Sequence, residues 1–278
     1  VPKLTFAPKG IKDIRSGKNW YVVQTPHYII LFDAVARKLQ NPERFGAAAE
    51  RRLKVIAALL GLKRERSTRR YPIRSVIPYF MHDPSKLSYG NVEFQGIDVN
   101  AGESDRLFQH EEAHAILGQV AGCPPSLFNE GFATFASDPS SVVNDRCSLT
   151  GIRNEVVPSL VQIASFEDFW RHWKTYKPFM YRISASFVSY LFSTRGPCPF
   201  LEFVRCTSQA APKEVLLRSF RAAYGCSLHV AERRWKAYLN DKSRSLRMSR
   251  KRRIGDITEK EWADSRVQMV RDALDAGR

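Results

Sequence analysis

The sequence predicts an α+β protein, with a mixed α/β N-terminal lobe over residues 1–122 and a mainly helical C-terminal lobe over residues 123–240. A basic linker and a last helix are expected over residues 241–278. Three observations carry this reading. Short β-branched and aromatic runs bounded by turn residues fall before residue 100, and apolar residues at helical spacing take over after residue 105. The 278 residues are 44% hydrophobic and 12% aromatic, globular values for a chain long enough to bury a sizeable core.

Trp20-Tyr21-Val22-Val23 and Tyr28-Ile29-Ile30-Leu31-Phe32 read as two strands split by a Thr25-Pro26 turn. Residues 37–60 carry Leu53, Ile56, Ala57 and Leu60 on one helical stripe and stop at Gly61, a favoured helix end. Residues 73–81 and 92–99 read as further strands joined by a turn containing Pro, Ser and Gly. Residues 107–121 are helical, with Ala113, Ile116, Leu117 and Val120 in register, and Gly122-Cys123-Pro124-Pro125 stops them. Ser126 is placed to cap a helix running through Phe128, Phe132 and Phe135 to Asp138-Pro139. Ser165-x-x-Asp168 and Thr258-x-x-Glu261 are capping-box starts of tryptophan-containing helices. Residues 212–224 and 227–239 are two more helices separated by Gly225, and 259–276 is the last. There is no internal repeat.

No apolar run approaches the roughly 20 residues that span a bilayer, so a soluble protein is expected. The residues after Val1 carry no charged-then-apolar leader, and the expectation is that any export signal is already removed or never existed. Cys123, Cys147, Cys198, Cys206 and Cys226 form no CxxC pair, which argues against a thiolate zinc site. They are buried thiols or, in an exported protein, include one or two disulfides. The net charge of +16 is partly local: residues 242–253 hold seven cations and no acid, and Lys63, Arg64, Arg66, Arg69 and Arg70 form a second cluster. Such runs attract nucleic acid, anionic lipid or acidic protein, though most are solvated loops. No aromatic stacking pattern accompanies them here.

His110-Glu111-Glu112-Ala113-His114 lies on the helix of residues 107–121. Four-residue spacing projects both imidazoles from one face, about one turn apart, where two nitrogens can meet one zinc ion at about 2.0–2.1 Å. Glu111 lies one step round the helix, within reach of a water on the metal, and Gly118 keeps the histidine face open. A catalytic zinc commonly takes three protein ligands, and Glu130, in the first turns of the next helix, is the candidate for the third. Thr134, one turn on, is placed to hydrogen-bond its carboxylate. His27, His82, His172 and His229 have no partner at ligand spacing and read as core or surface histidines.

These residues resemble a known family. His110-Glu111-Glu112-Ala113-His114 followed by Asn129-Glu130-Gly131-Phe132-Ala133 looks like the gluzincin zinc metallopeptidases, particularly the M1-like or peptidase MA-like branch. The segment from Tyr181 to Leu191 is similar to the helix that carries the oxyanion tyrosine in M1-type enzymes. The resemblance implies a zincin-type catalytic domain with one Zn2+ ion on His110, His114 and Glu130, Glu111 as general base and Tyr181 at the oxyanion. Tyr176 and Tyr190 are neighbouring alternatives for that role. The function it implies is hydrolysis of peptide bonds in a peptide or protein substrate through a metal-activated water. The strand before the zinc helix, residues 94–99, is then expected to be the edge on which an extended substrate pairs. The sequence also departs from the family. Fifteen residues separate His114 from Glu130, fewer than is usual in M1 aminopeptidases, and no clear Gly-x-Met-Glu-Asn segment is present. Gly90-Asn91-Val92-Glu93-Phe94 is a faint echo of it. Two other functions remain open: an inactive peptidase-like binding domain, and a binder of nucleic acid or an anionic surface through residues 242–253.

Overall fold

The computed structural model describes residues 20–65, 71–73, 76–82, 89–91, 96–138, 141–155 and 157–248. They combine a five-stranded mixed sheet with helices, an α+β protein. The chain divides into two compact units, residues 1–54 with 64–120, and residues 55–63 with 121–278.

In the first unit, β1 (Tyr21–Gln24) and β2 (Tyr28–Phe32) form the expected antiparallel hairpin. All five β2 residues are buried, as in a strand covered on both faces. The single helix expected over 37–60 is two, α1 (Ala36–Leu39) and α2 (Pro42–Leu59). The break was written in Asn41-Pro42. A residue before proline avoids helical ψ, and proline suits the first position of a new helix. Gln40, the C-cap of α1, is extended, and Asn41, the residue before the proline, caps α2 by accepting at Oδ1 from the Arg44 N–H at 2.9 Å. The predicted stop at Gly61 is present as a paired cap at φ +67°, with Leu62 N–H bonded to Ala57 O and Gly61 N–H to Ala58 O.

Next come β3 (Ile77–His82), which starts later than the run expected at 73–81, β4 (Tyr89–Asn91), and β5 (Gly96–Asn100), which takes up the described part of the run expected at 92–99. Residues 92–95, including Glu93, lie outside the described residues. The sheet order is β1-β2-β3-β5-β4, parallel between β2, β3 and β5 and antiparallel between β5 and β4. β5 is therefore not the edge. It is paired on both sides, and β4, where only a turn was expected, takes the edge position. The unit ends with α3 (Asp105–Val120).

The second unit is helical. α4 (Ser126–Ser137) begins one residue earlier in function than expected: Pro125 is the cap, its carbonyl accepting from Phe128 and Asn129, and Ser126 is the first helical residue. α5 (Ser141–Arg153) follows, then α6 (Phe166–Arg195), opened by the predicted capping box with Ser165 accepting from the Asp168 N–H at 3.2 Å. α6 is interrupted at Tyr176 (φ −111°, ψ 19°), where residue 178, a proline, has no N–H for the preceding turn. α7 (Pro197–Arg205), α8 (Lys213–Tyr224) and α9 (Leu228–Met248) complete the unit. Its core is aromatic: Phe128, Phe132, Phe135, Phe187, Phe192, Phe200, Phe203, Phe220 and Trp235 are fully buried.

α9 runs through residues 241–248, the described part of the segment expected to be a linker, and the remainder, with the helix expected at 259–276, lies outside the described residues. Lys242 there is partly buried and paired. It donates to Asp145 Oδ2 at 2.7 Å and to the Tyr238 hydroxyl at 3.2 Å. All five cysteines are free thiols. Among the described residues no helix is long and apolar enough to cross a membrane.

Candidate metal centre

From Phe108 to Gln119 every residue of α3 is buried except His110. A helix buried on all sides normally carries few polar groups, yet Gln109, Glu111, Glu112, His114 and Gln119 are among these residues. The Nε2 atoms of His110 and His114 stand 3.1 Å apart, with ring planes at 87° and centroids separated by 4.7 Å. The edge of a tetrahedron built on bonds of about 2.1 Å is about 3.4 Å, so the two nitrogens are spaced as ligands of one ion would be.

α4 has the complementary pattern. Glu130 is the one residue of its twelve that is not buried. Gly131 explains how tightly α4 is seated, because a Cβ there would stand 2.6 Å from the Ser184 carbonyl oxygen and 2.8 Å from Val188 Cγ2. Only glycine lets the two helix backbones approach that closely. Ser184 is itself small and buried, and donates back to Met180 O at 2.8 Å within α6. The glycine of the Asn-Glu-Gly-Phe-Ala segment thus sets the height of Glu130 over α6.

Ligand atoms of His110, His114 and Glu130 all lie within 4.8 Å of one another, a group that could hold a metal ion. Two imidazole nitrogens and a carboxylate oxygen are the donor set of many hydrolytic zinc centres. Cys123 is not one of this group. Burial, reinforced by the charge of Glu130, pushes its thiol up to about 11, and Sγ donates to Gln209 Oε1 at 3.2 Å.

Glu112, next to Glu111, has a different role. It is fully buried and receives Arg52 through Nε at 3.0 Å on both oxygens and through Nη2 at 2.7 Å. Arg52 Nη1 donates to Asp105 at 2.9 Å, and the guanidinium carbon lies 5.1 Å from the Phe45 ring centre and 5.5 Å from that of Phe108. Burial pushes the Glu112 carboxyl up to about 7 against the downward pull of Arg52. Neither residue stood out in the sequence. The signal available was a second carboxylate at a position that a helix inside the protein should bury.

The other histidines follow the expectation where they are described. His27 is a core histidine whose Nδ1 donates to Glu50 at 2.8 Å and whose Nε2 accepts from the Tyr71 N–H at 3.2 Å. His172 Nδ1 donates to the Asp168 carbonyl oxygen at 2.9 Å, and its ring stacks on Tyr176, while His229 is exposed. The side chain of His82 lies outside the described residues. Of the three tyrosines, Tyr190 packs against Tyr238 and Phe187 in the aromatic layer, with ring centres 5.3 and 6.4 Å away. Tyr176 sits at the interruption of α6, and Tyr181 is half-buried five residues on.

No protein-family model matches this chain, and no curated protein matches it. Among solved structures it is similar to a two-domain M1 zinc metallopeptidase, a mutant crystallised with L-arginine, at 16% sequence identity and a TM-score of 0.49. The match takes in 79% of this chain and 51% of that one, so the chain spans about half of that protein's length.

Proposed function

We propose that this chain is a zinc-dependent metallopeptidase of the gluzincin, peptidase MA-like type that hydrolyses peptide bonds. The observation that carries the reading is the pair of histidine Nε2 atoms 3.1 Å apart, grouped with a Glu130 carboxylate oxygen, on two helices whose other inner residues are buried. His110, His114 and Glu130 would hold the ion, which when bound supplies Lewis acidity toward a water and a substrate carbonyl. Glu111 follows the first ligand directly and is buried to 6% exposure, so its carboxylate works in a low-dielectric setting. Its role is to take the proton of the attacking water and pass it to the leaving amine. The Tyr181 hydroxyl is assigned to the developing oxyanion. The packing of Tyr190 within the aromatic layer disfavours that alternative. Peptides or proteins are the substrates. An anionic partner for residues 242–253 would have to be met by cations other than Lys242, which is committed to Asp145.

The decisive variant is Glu111→Gln. It is expected to retain one zinc per chain by metal analysis and to lose about 10²–10⁴-fold of the peptidase rate on a quenched-peptide library. Full activity in a folded Glu111→Gln protein would remove the assignment. Tyr181→Phe is expected to lower kcat by about 10²–10³-fold, the usual loss for one oxyanion donor, with zinc content unchanged.

A further inference from the structure

We propose that Arg52, acting through Glu112, fixes the rotation of α3 about its axis and thereby aims His110, His114 and Glu111; Arg52 and Glu112 are positioning residues of the metal centre. This inference rests on the metallopeptidase reading above.

A helix turns about 100° per residue, which places Glu112 about 160° from His110 in one sense and about 160° from His114 in the other. Glu112 therefore occupies the face of α3 directly behind the histidine pair. On that back face the apolar contact of Phe108 with Phe45, ring centres 5.0 Å apart, is joined by a guanidinium that meets both Glu112 carboxylate oxygens, with N···O distances of 2.7–3.0 Å. A two-pronged Arg–carboxylate contact has a fixed plane and direction, so a turn of the helix breaks it. Arg52 also reaches Asp105, seven residues before Glu112 and two turns along the same face, which fixes the helix along its length. Asp105 is 72% exposed and Glu112 fully buried, so Glu112 is the anchor and Asp105 the guide.

The surroundings favour orientation over stability as the purpose of this pair. Arg52 lies against the rings of Phe45 and Phe108, which pack on each other with centres 5.0 Å apart, and Phe45 packs on Tyr79 with ring centres 5.2 Å apart. Burying both charges in such a setting commonly gains no net stability over an apolar pair of the same volume. Direction is what the ion pair adds. At the surface of a helix about 5–6 Å from its axis, a 10° rotation moves a side-chain tip by about 1 Å. Displacements of that size cost up to about 10²-fold in a catalytic rate.

The test replaces the ion pair by apolar groups and reads zinc affinity alongside stability. In the Arg52→Met, Glu112→Leu double variant the expected result is a Tm equal to or above that of the parent. Its zinc Kd, measured by chelator competition, should rise 10–100-fold, and kcat should fall by a similar factor with KM little changed. Arg52→Lys keeps the charge without the two-pronged contact and is expected to weaken zinc about tenfold; it decides the matter if the double variant does not fold. A residue with a purely structural role would move Tm and leave the Kd of the folded variants alone. Wild-type zinc affinity in either folded variant overturns the proposal. If the parent chain itself binds no zinc, the metallopeptidase reading falls and takes this inference with it. If the parent binds zinc and Glu111→Gln abolishes hydrolysis while both Arg52 variants bind normally, only the positioning role is lost.

Discussion

Behind the histidines of α3 stands an ion pair, Arg52 on Glu112, whereas the residue next to Glu130 in α4 is a glycine lying against the α6 backbone. α3 buries polar groups among apolar ones, and its Arg52–Glu112 hold is electrostatic and directional. α4 is apolar, with Phe128, Phe132 and Phe135 fully buried, and its hold is a matter of shape. A charge pair controls the angle of a helix and is indifferent to a few tenths of an ångström. A glycine contact controls distance and leaves rotation to the neighbouring side chains. The metal centre proposed above would need an angle for two imidazoles and a depth for one carboxylate, and on that proposal each helix would supply the constraint its own residues require.

Breaking the charge hold should give the larger effect. Arg52→Met alone leaves a fully buried carboxylate without its partner, and such changes cost about 3–5 kcal/mol. Urea unfolding at pH 7.5 reads it, and adding Glu112→Leu should recover the whole of the loss. A single variant as stable as the parent would mean that Arg52 contributes little, and the contrast between the two helices would collapse.

Breaking the shape hold should cost less. Gly131→Ala in an open helix would stabilise by about 1 kcal/mol through helix propensity. Here the new methyl stands 2.6 Å from a backbone oxygen that no side-chain rotation can move. Overpacking of this kind typically costs about 1–3 kcal/mol. The expected net change is a loss of up to about 2 kcal/mol in thermal unfolding, accompanied by weaker zinc binding. A gain in stability would show that α4 and α6 have room to separate and that Gly131 does not set the depth of Glu130.

How much of this was legible in the sequence follows the same division. Two histidines four apart declare their shared face, because helical spacing is local information. Glu130 was legible from its glycine and phenylalanine neighbours. The stop at Gly61 and the cap at Ser165 are equally local and stand as expected. Asn41-Pro42 was local too, and reading one helix across it put hydrophobic period ahead of backbone chemistry. What stayed hidden is pairing at a distance. Arg52 meets Glu112 sixty residues away, and Asp145 lies ninety-seven residues before the Lys242 it anchors, so neither charge shows a partner in its own neighbourhood. The order of strands is hidden for the same reason. Nothing in residues 96–100 says that a three-residue strand, β4, covers their outer side.

The smallest expected effect tests whether reliance on charge extends through the first unit beyond α3. Glu50 on α2 accepts from Thr25 Oγ1 at 2.7 Å, the His27 N–H at 3.0 Å and His27 Nδ1 at 2.8 Å, tying the β1–β2 turn to the helix. Burial pushes this carboxyl up, but the bonds from His27 and Thr25 outweigh it and hold it below its ordinary value of 4.5. A carboxyl whose value is lowered by folding adds stability above 4.5, and that stability is lost as pH falls through the folded-state value. The group is only half-buried, so solvent screening limits the contribution to under about 1 kcal/mol. Glu50→Gln cannot titrate and lacks this component. Between pH 6 and pH 3.5 the parent's urea midpoint should therefore fall further than that of Glu50→Gln. Amide exchange in β2 should quicken with it, while amides of α6, which owe nothing to this carboxyl, hold their protection. Parallel acid profiles in the two proteins would confine the charge-held behaviour to Arg52 and Glu112.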